Sequence, residues 1–211
     1  MRLAHWTPRG IAAGIFLLAL ALRLALLAEA AASPYADTLV LDAEEYQHLA
    51  RGLLDGTWSE ATAETYVHGI LYPILWAGVE WCGLGVTALL LLQALLGSLT
   101  CVLLYRGARH LLAPPAAIVC GVLASLYEPF LVFGAQPLAT TLVIFLVAAL
   151  FAWLSRPSAM SDRCLAGAGL LLALLGATRA NALLLLPVVA WVSVTRSQAE
   201  GRSPRRALLL L

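Results

Sequence analysis

Long apolar runs interrupted by short arginine-bearing breaks dominate the hydrophobic pattern of this chain. A membrane-crossing helix needs about 20 consecutive, mostly apolar residues. Spans are therefore predicted at 11–28, 86–105, 115–133 and 137–154. The first follows a short basic start and also resembles a signal peptide, but the spans after it favour an uncleaved helix. Two shorter runs follow, 164–177 and 182–194. Each would rise only about 20 Å at 1.5 Å per residue, so they read as two tilted crossings or as one long helix. Arg2 and Arg9, Arg106 and Arg109, Arg156 and Arg163, and the group from Arg196 to Arg206 fall between alternate spans. Cytoplasmic loops carry the excess of basic residues, so the N-terminus is expected in the cytoplasm. With Arg163 and Arg196 on that same side, 164–194 crosses twice and "ATRANA" (177–182) turns outside.

The acidic residues show the opposite bias. Nine of the twelve lie between Glu29 and Glu80, which makes 29–85 an outer loop and the only sizeable polar region. Within it, "LDAEEYQHLARGLLDG" (41–56) predicts a helix over 42–55. Tyr46, Leu49, Leu53 and Leu54 keep helical spacing, and Gly56 is a natural stop. This helix is expected to lie along the membrane surface with one face in the headgroups. "LYPILWAGVEW" (71–81) reads as a second amphipathic piece whose Tyr72, Trp76 and Trp81 suit the interface. The fold class is thus all-α, a polytopic helical bundle forming a single transmembrane domain over 1–211, with an amphipathic-helix outer loop between the first two spans. The closing "RALLLL" starts another apolar helix, which predicts that the protein continues past Leu211.

Composition agrees with this reading. The 211 residues are 62% hydrophobic and 12% charged, and the mean hydropathy of +0.88 is too high for a soluble domain. A net charge of +1, with no basic patch interleaved with aromatics, gives no reason to expect nucleic acid. Membrane lipid is the expected surrounding. Cys82, Cys101, Cys120 and Cys164 have no metal-ligand spacing and read as isolated thiols. Asp42, Glu44 and Glu45 are too few to hold a metal without other ligands, and no cofactor is expected.

Two readings compete for the charges that open the 42–55 helix. Asp42 with Glu45 three residues on has the spacing of a capping box, in which the aspartate accepts from free helix N–H groups and the glutamate reaches back. The alternative is chemical. Asp42, His68, Gln136 and Arg179 all come out on the outer face, and Arg23 and Glu128 lie at nearby depths. Ionisable residues near hydrocarbon usually face a protein interior or an aqueous cavity. Each taken alone is explained by snorkelling or by a structural ion pair. A ring of carboxylate and guanidinium at one depth could hold a phosphate at headgroup height, because the planar arginine fork donates in pairs.

Four stretches carry a family resemblance. They are "LDAEEYQHLARGLLDG", "VHGILYPILWA" (67–77), "LLQALLGSLTCVLLYRGARHLL" (91–112) and "GATRANALLLLPVVA" (176–190). In order and spacing they resemble the amino-terminal portion of the C-type polyprenyl-phosphate-sugar glycosyltransferases, the group of protein O-mannosyltransferases and lipid A aminoarabinose transferases. The resemblance implies a bacterial inner-membrane enzyme that moves a sugar from a polyprenyl phosphate to an acceptor hydroxyl on the extracytoplasmic side. The lipid-linked sugar is then substrate and partner, alongside the remaining carboxy-terminal portion or another subunit. By matching positions, Asp42 is the implied base, with Glu45 beside it. Tyr46, His68, Tyr72, Gln136, Arg179 and Asn181 are the implied substrate-binding residues. Ala43 stands where the family pattern has a second acid, and Gln136 where relatives often carry glutamate.

Those two substitutions also keep open a non-catalytic or decayed relative of the same group. A transporter is the third alternative. It predicts half-helices and inverted repeats, and the two halves of the sequence show no such symmetry.

Overall fold

The computed structural model describes residues 7–34, 38–57, 69–157 and 161–201. Among them are nine α-helices, two 3₁₀ turns and no strand. The helices are α1 (Pro8–Ala31), α2 (Asp42–Asp55), α3 (Leu71–Trp81), α4 (Val86–Ala108) and α5 (Pro114–Leu126). Then follow α6 (Glu128–Val132), α7 (Thr140–Leu154), α8 (Asp162–Thr178) and α9 (Leu186–Ala199). Local chemistry sets several of these boundaries. Thr7 caps α1, its Oγ1 accepting from the Gly10 N–H at 3.1 Å, and Pro8 occupies the first turn, where a missing N–H costs nothing. Ser161 caps α8 in the same way, accepting from Cys164 N–H at 3.3 Å.

Helix α4 is the axis. On one side it packs with α1 and α5 around Ile15, Ala19, Cys101, Tyr105 and Ala117. On the other, Leu89 joins a core built from α2, α3, α7, α8 and α9, including Tyr46, Tyr72, Trp76, Leu142, Leu172 and Val189. Close approach depends on small residues, as helix pairs in hydrocarbon require. A Cβ on Gly167 of α8 would come within 2.5 Å of the Trp153 ring on α7, and one on Gly121 of α5 within 2.7 Å of Ile15.

Among the described residues, three segments are long and apolar enough to cross a membrane: Pro8–Ala31, Val86–Ala108 and Ala180–Ala199. A fourth qualifies if Pro114–Leu126 and Glu128–Ala135, bent by 53° at their junction, count as one. Leu17, Leu123, Leu170, Leu184 and Trp191 are each more than half exposed on these and neighbouring helices, a surface that suits hydrocarbon rather than water. This is a coarser picture than six straight spans. The predicted 115–133 helix breaks at Tyr127, which is extended (ψ 108). Pro129 removes an N–H and crowds the preceding turn, and the Ser125 hydroxyl donates back to Gly121 O at 2.8 Å. The predicted 137–154 helix begins only at Thr140, because Gln136 is extended, and its 15 residues rise only about 22 Å.

The 164–194 segment is two elements, not one long helix. Arg179 is extended (φ −151, ψ 120) and ends α8, after which a 3₁₀ turn, Ala180–Leu185, leads into α9. The α8 start and the α9 end lie together. Trp153 Nε1 donates to Cys164 O at 2.9 Å, and the Arg196 guanidinium donates to Leu154 O and Arg156 O at 2.5 and 2.7 Å. The pair is therefore an antiparallel hairpin turning at Arg179.

Helix α2 runs over 42–55 and stops at Gly56, whose φ of 74° is left-handed, as its sequence predicts. Its surroundings differ from the expectation. The stripe expected to face headgroups is covered by α3, with Tyr46 and Leu49 fully buried. Tyr72 and Trp76, expected as interfacial anchors, are also fully buried, and only Trp81 is exposed. Stacking two amphipathic helices face to face satisfies both stripes within the protein.

Candidate functional site

The hairpin turn at Arg179 meets the start of α2. Arg179 Nη2 lies 3.8 Å from Asp42 Oδ2, with both side chains less than half exposed. The two residues are far apart in sequence, and the backbone that joins them is tightly fitted. Gly69, just before α3, has a φ of +71° and abuts the carbonyls of Ala177 and Thr178 at the end of α8. This contact fixes α3, and α2 packed upon it, against the residue that precedes Arg179.

Asp42 does not cap its helix. The cap position is Leu41, no side-chain capping hydrogen bond is present, and Asp42 is the first helical residue. The predicted capping box with Glu45 is therefore absent, because the Asp42 carboxylate is directed to Arg179 instead. Leu41 carries the strain of that arrangement. Its φ of 52° and ψ of −128°, with the Ala43 N–H donating to Val40 O at 3.2 Å, match the first central position of a type II′ turn, where glycine is strongly favoured. Such a conformation in a non-glycine residue costs on the order of 1–3 kcal/mol. Leu41 is also 82% exposed, so little packing would be lost by replacing it. We expect Leu41→Gly to raise thermal stability by about 1 kcal/mol after glycine's extra chain entropy in the unfolded state. A lowered unfolding midpoint in detergent would contradict this turn geometry.

Behind the ion pair lies a polar chain running into the bundle. Tyr46, one turn along α2 from Asp42, is buried, and burial raises its phenol pKa. The positive charge of Arg179 opposes that shift, while Asp42 and Glu45 add to it. Its ring meets Tyr72 edge-on at 4.9 Å between centroids. Burial, with a further contribution from Tyr46, likewise raises the Tyr72 phenol above its usual range. Both phenols are therefore neutral at physiological pH. The Tyr72 hydroxyl donates to Gln93 Oε1. Gln93 Nε2 in turn donates to Gln136 O at 2.7 Å and Gly134 O at 3.3 Å. The Gln93 amide is thus used on both sides, as a fully buried side chain must be.

Asp42, Tyr46, Tyr72 and Arg179 are thus brought together among the expected site residues. Gln136 joins through its backbone carbonyl rather than its side chain. Glu45 lies on the exposed side of α2 and Asn181 on the exposed side of the 3₁₀ turn. His68 lies outside the described residues.

No family model, curated protein or solved structure matches this chain.

Two features escaped the sequence reading. Gln93 is the amide that ties α3 to the 134–136 turn, and its signal was visible as a lone polar residue inside "LLLLQALLG" (89–97). The second is the support on the far side of α3. Trp76 Nε1 donates to Glu80 Oε1 at 3.0 Å, and Arg51 of α2 lies 3.9 Å from the same carboxylate.

Proposed function

We propose that this chain is a membrane glycosyltransferase, or the amino-terminal part of one, that takes sugar from a polyprenyl phosphate on the extracytoplasmic side. One observation carries the reading: a carboxylate and a guanidinium from distant segments meet in a half-exposed pair at one end of the helices. A partly solvated pair of this kind is worth only about 0–1 kcal/mol, so an incoming phosphate can take over the guanidinium at little cost. Asp42 then removes the acceptor hydroxyl's proton. The acceptor oxygen bonds to the anomeric carbon as the anomeric carbon–oxygen bond to phosphate breaks. Arg179 holds the departing polyprenyl phosphate by charge-assisted hydrogen bonds.

The kink at Tyr127 is the observation that favours a transporter instead, since broken helices line transport sites. Pro129 accounts for it without any substrate, and Glu128 beside it is exposed rather than aimed into the bundle.

Arg179→Ala tests the donor side. Binding of a radiolabelled polyprenyl-phosphate sugar to the purified chain should weaken on the order of 10²-fold, whereas Arg179→Lys should retain part of it. Equal binding by wild type and Arg179→Ala, or no binding by wild type, would rule out this donor site.

A further inference from the structure

A second charged site lies at the opposite end of the bundle, on other helices. There the start of α1 and the ends of α4 and α7 enclose a cavity of about 670 Å³, lined by Arg9, Arg106, Arg109, His110 and Arg156 among others. Among the described residues, its lining holds four guanidiniums and an imidazole but no carboxylate. Among the described residues, no ion pair involves any of the four arginines. Two are held by aromatic faces: the Arg109 head sits 5.7 Å from the Tyr105 ring centre and the Arg156 head 4.5 Å from that of Trp153. Cation–π contacts orient these heads without neutralising them. Arginines at the ends of α4 and α7 also suit the helix dipoles, but dipoles alone do not require four of them around one concavity. Leu103 and Ala152 supply an apolar wall between the helices.

We infer that this cavity binds a phosphate-bearing anion, with the headgroup of an anionic phospholipid as the ligand. Two of the helices that frame it, α1 and α4, are long and apolar enough to span a membrane, which sets the arginines at headgroup level with an acyl chain able to follow Leu103. Basic pockets between transmembrane helices take acidic headgroups by this chemistry. The planar guanidinium matches phosphate oxygens in pairs. This site is separate from Asp42 and Arg179 and stands whether or not sugar transfer occurs there.

The test measures thermal unfolding of the full chain in a neutral detergent by tryptophan fluorescence. Short-chain phosphatidylglycerol should raise the midpoint, as any ligand of the folded state does, while phosphatidylcholine should not. In Arg106→Gln/Arg109→Gln the apparent affinity should fall about 30-fold, from roughly fivefold per arginine at an anionic headgroup. The lysine pair Arg106→Lys/Arg109→Lys should keep most of it. In Arg51→Gln, on α2 and outside this cavity, the shift produced by phosphatidylglycerol should match that of wild type, whatever the change in its starting midpoint. An equal upward shift with inorganic phosphate alone would identify a soluble phosphate ligand instead of a lipid. No shift with either phosphate source, or an undiminished shift in the glutamine pair, would overturn the proposal. If the glutamine pair fails to fold, the headgroup comparison on wild type and the lysine pair still decides.

Discussion

Asp42→Asn should lower sugar transfer by 10²–10⁴-fold, the usual loss when a positioned general base is removed, and should leave the fold intact. Asparagine has nearly the same shape and starts a helix equally well, but it cannot accept a proton. The stability change should be small, because a half-exposed ion pair contributes at most about 1 kcal/mol. Donor binding should hold or tighten, since the substitution removes a negative charge 3.8 Å from the arginine that would grip phosphate. The two variants therefore divide the reaction. Asp42→Asn loses rate and keeps donor, while Arg179→Ala loses donor. Initial rates with a radiolabelled polyprenyl-phosphate sugar, measured beside equilibrium binding of the same donor, separate these effects. Full turnover by Asp42→Asn would remove Asp42 from the chemistry and leave its pairing with Arg179 a structural tie between α2 and α8.

Much of the architecture was legible because apolar length and terminator residues act locally. Gly56 ends α2 where expected, and the break at Arg179 falls inside "ATRANA", where the arginine pattern required a turn. Three features were not legible, each for a physical reason. Tyr and Trp at helical spacing suit a membrane interface and a helix–helix core equally well, so the pattern of Tyr72 and Trp76 could not say which would cover them. A kink depends on how Pro129 and the back-bonded Ser125 combine over one turn, which an apolar run conceals. The capping box failed because Asp42 had a competing partner well over a hundred residues away, and local spacing carries no record of Arg179. The predicted spans do place these two residues at one level. Only tertiary packing through Gly69 brings them within reach.

That packing gives the other large expected effect, Gly69→Ala. The residue sits at φ +71°, a conformation disfavoured for side chains with a Cβ by about 1–2 kcal/mol. The added methyl would also meet the Thr178 carbonyl oxygen and come within 2.7 Å of that of Ala177. Both obstacles are backbone at a helix end, so neither can rotate away as a flexible side chain would. The α3 start must then retreat from α8, drawing Tyr72 and the Tyr46 ring packed on it away from Arg179. We expect a loss of about 2–4 kcal/mol in stability and a marked fall in donor binding, because Asp42 moves with α2. Gly56→Ala separates the two contributions. Gly56 has a similar φ of +74° but no described residue within 4 Å of where its Cβ would stand, so it should cost only the conformational part and keep donor binding. Thermal unfolding and donor binding measured on both variants decide the matter. If Gly69→Ala proves as mild as Gly56→Ala, the α3–α8 contact is not what holds the carboxylate and the guanidinium together.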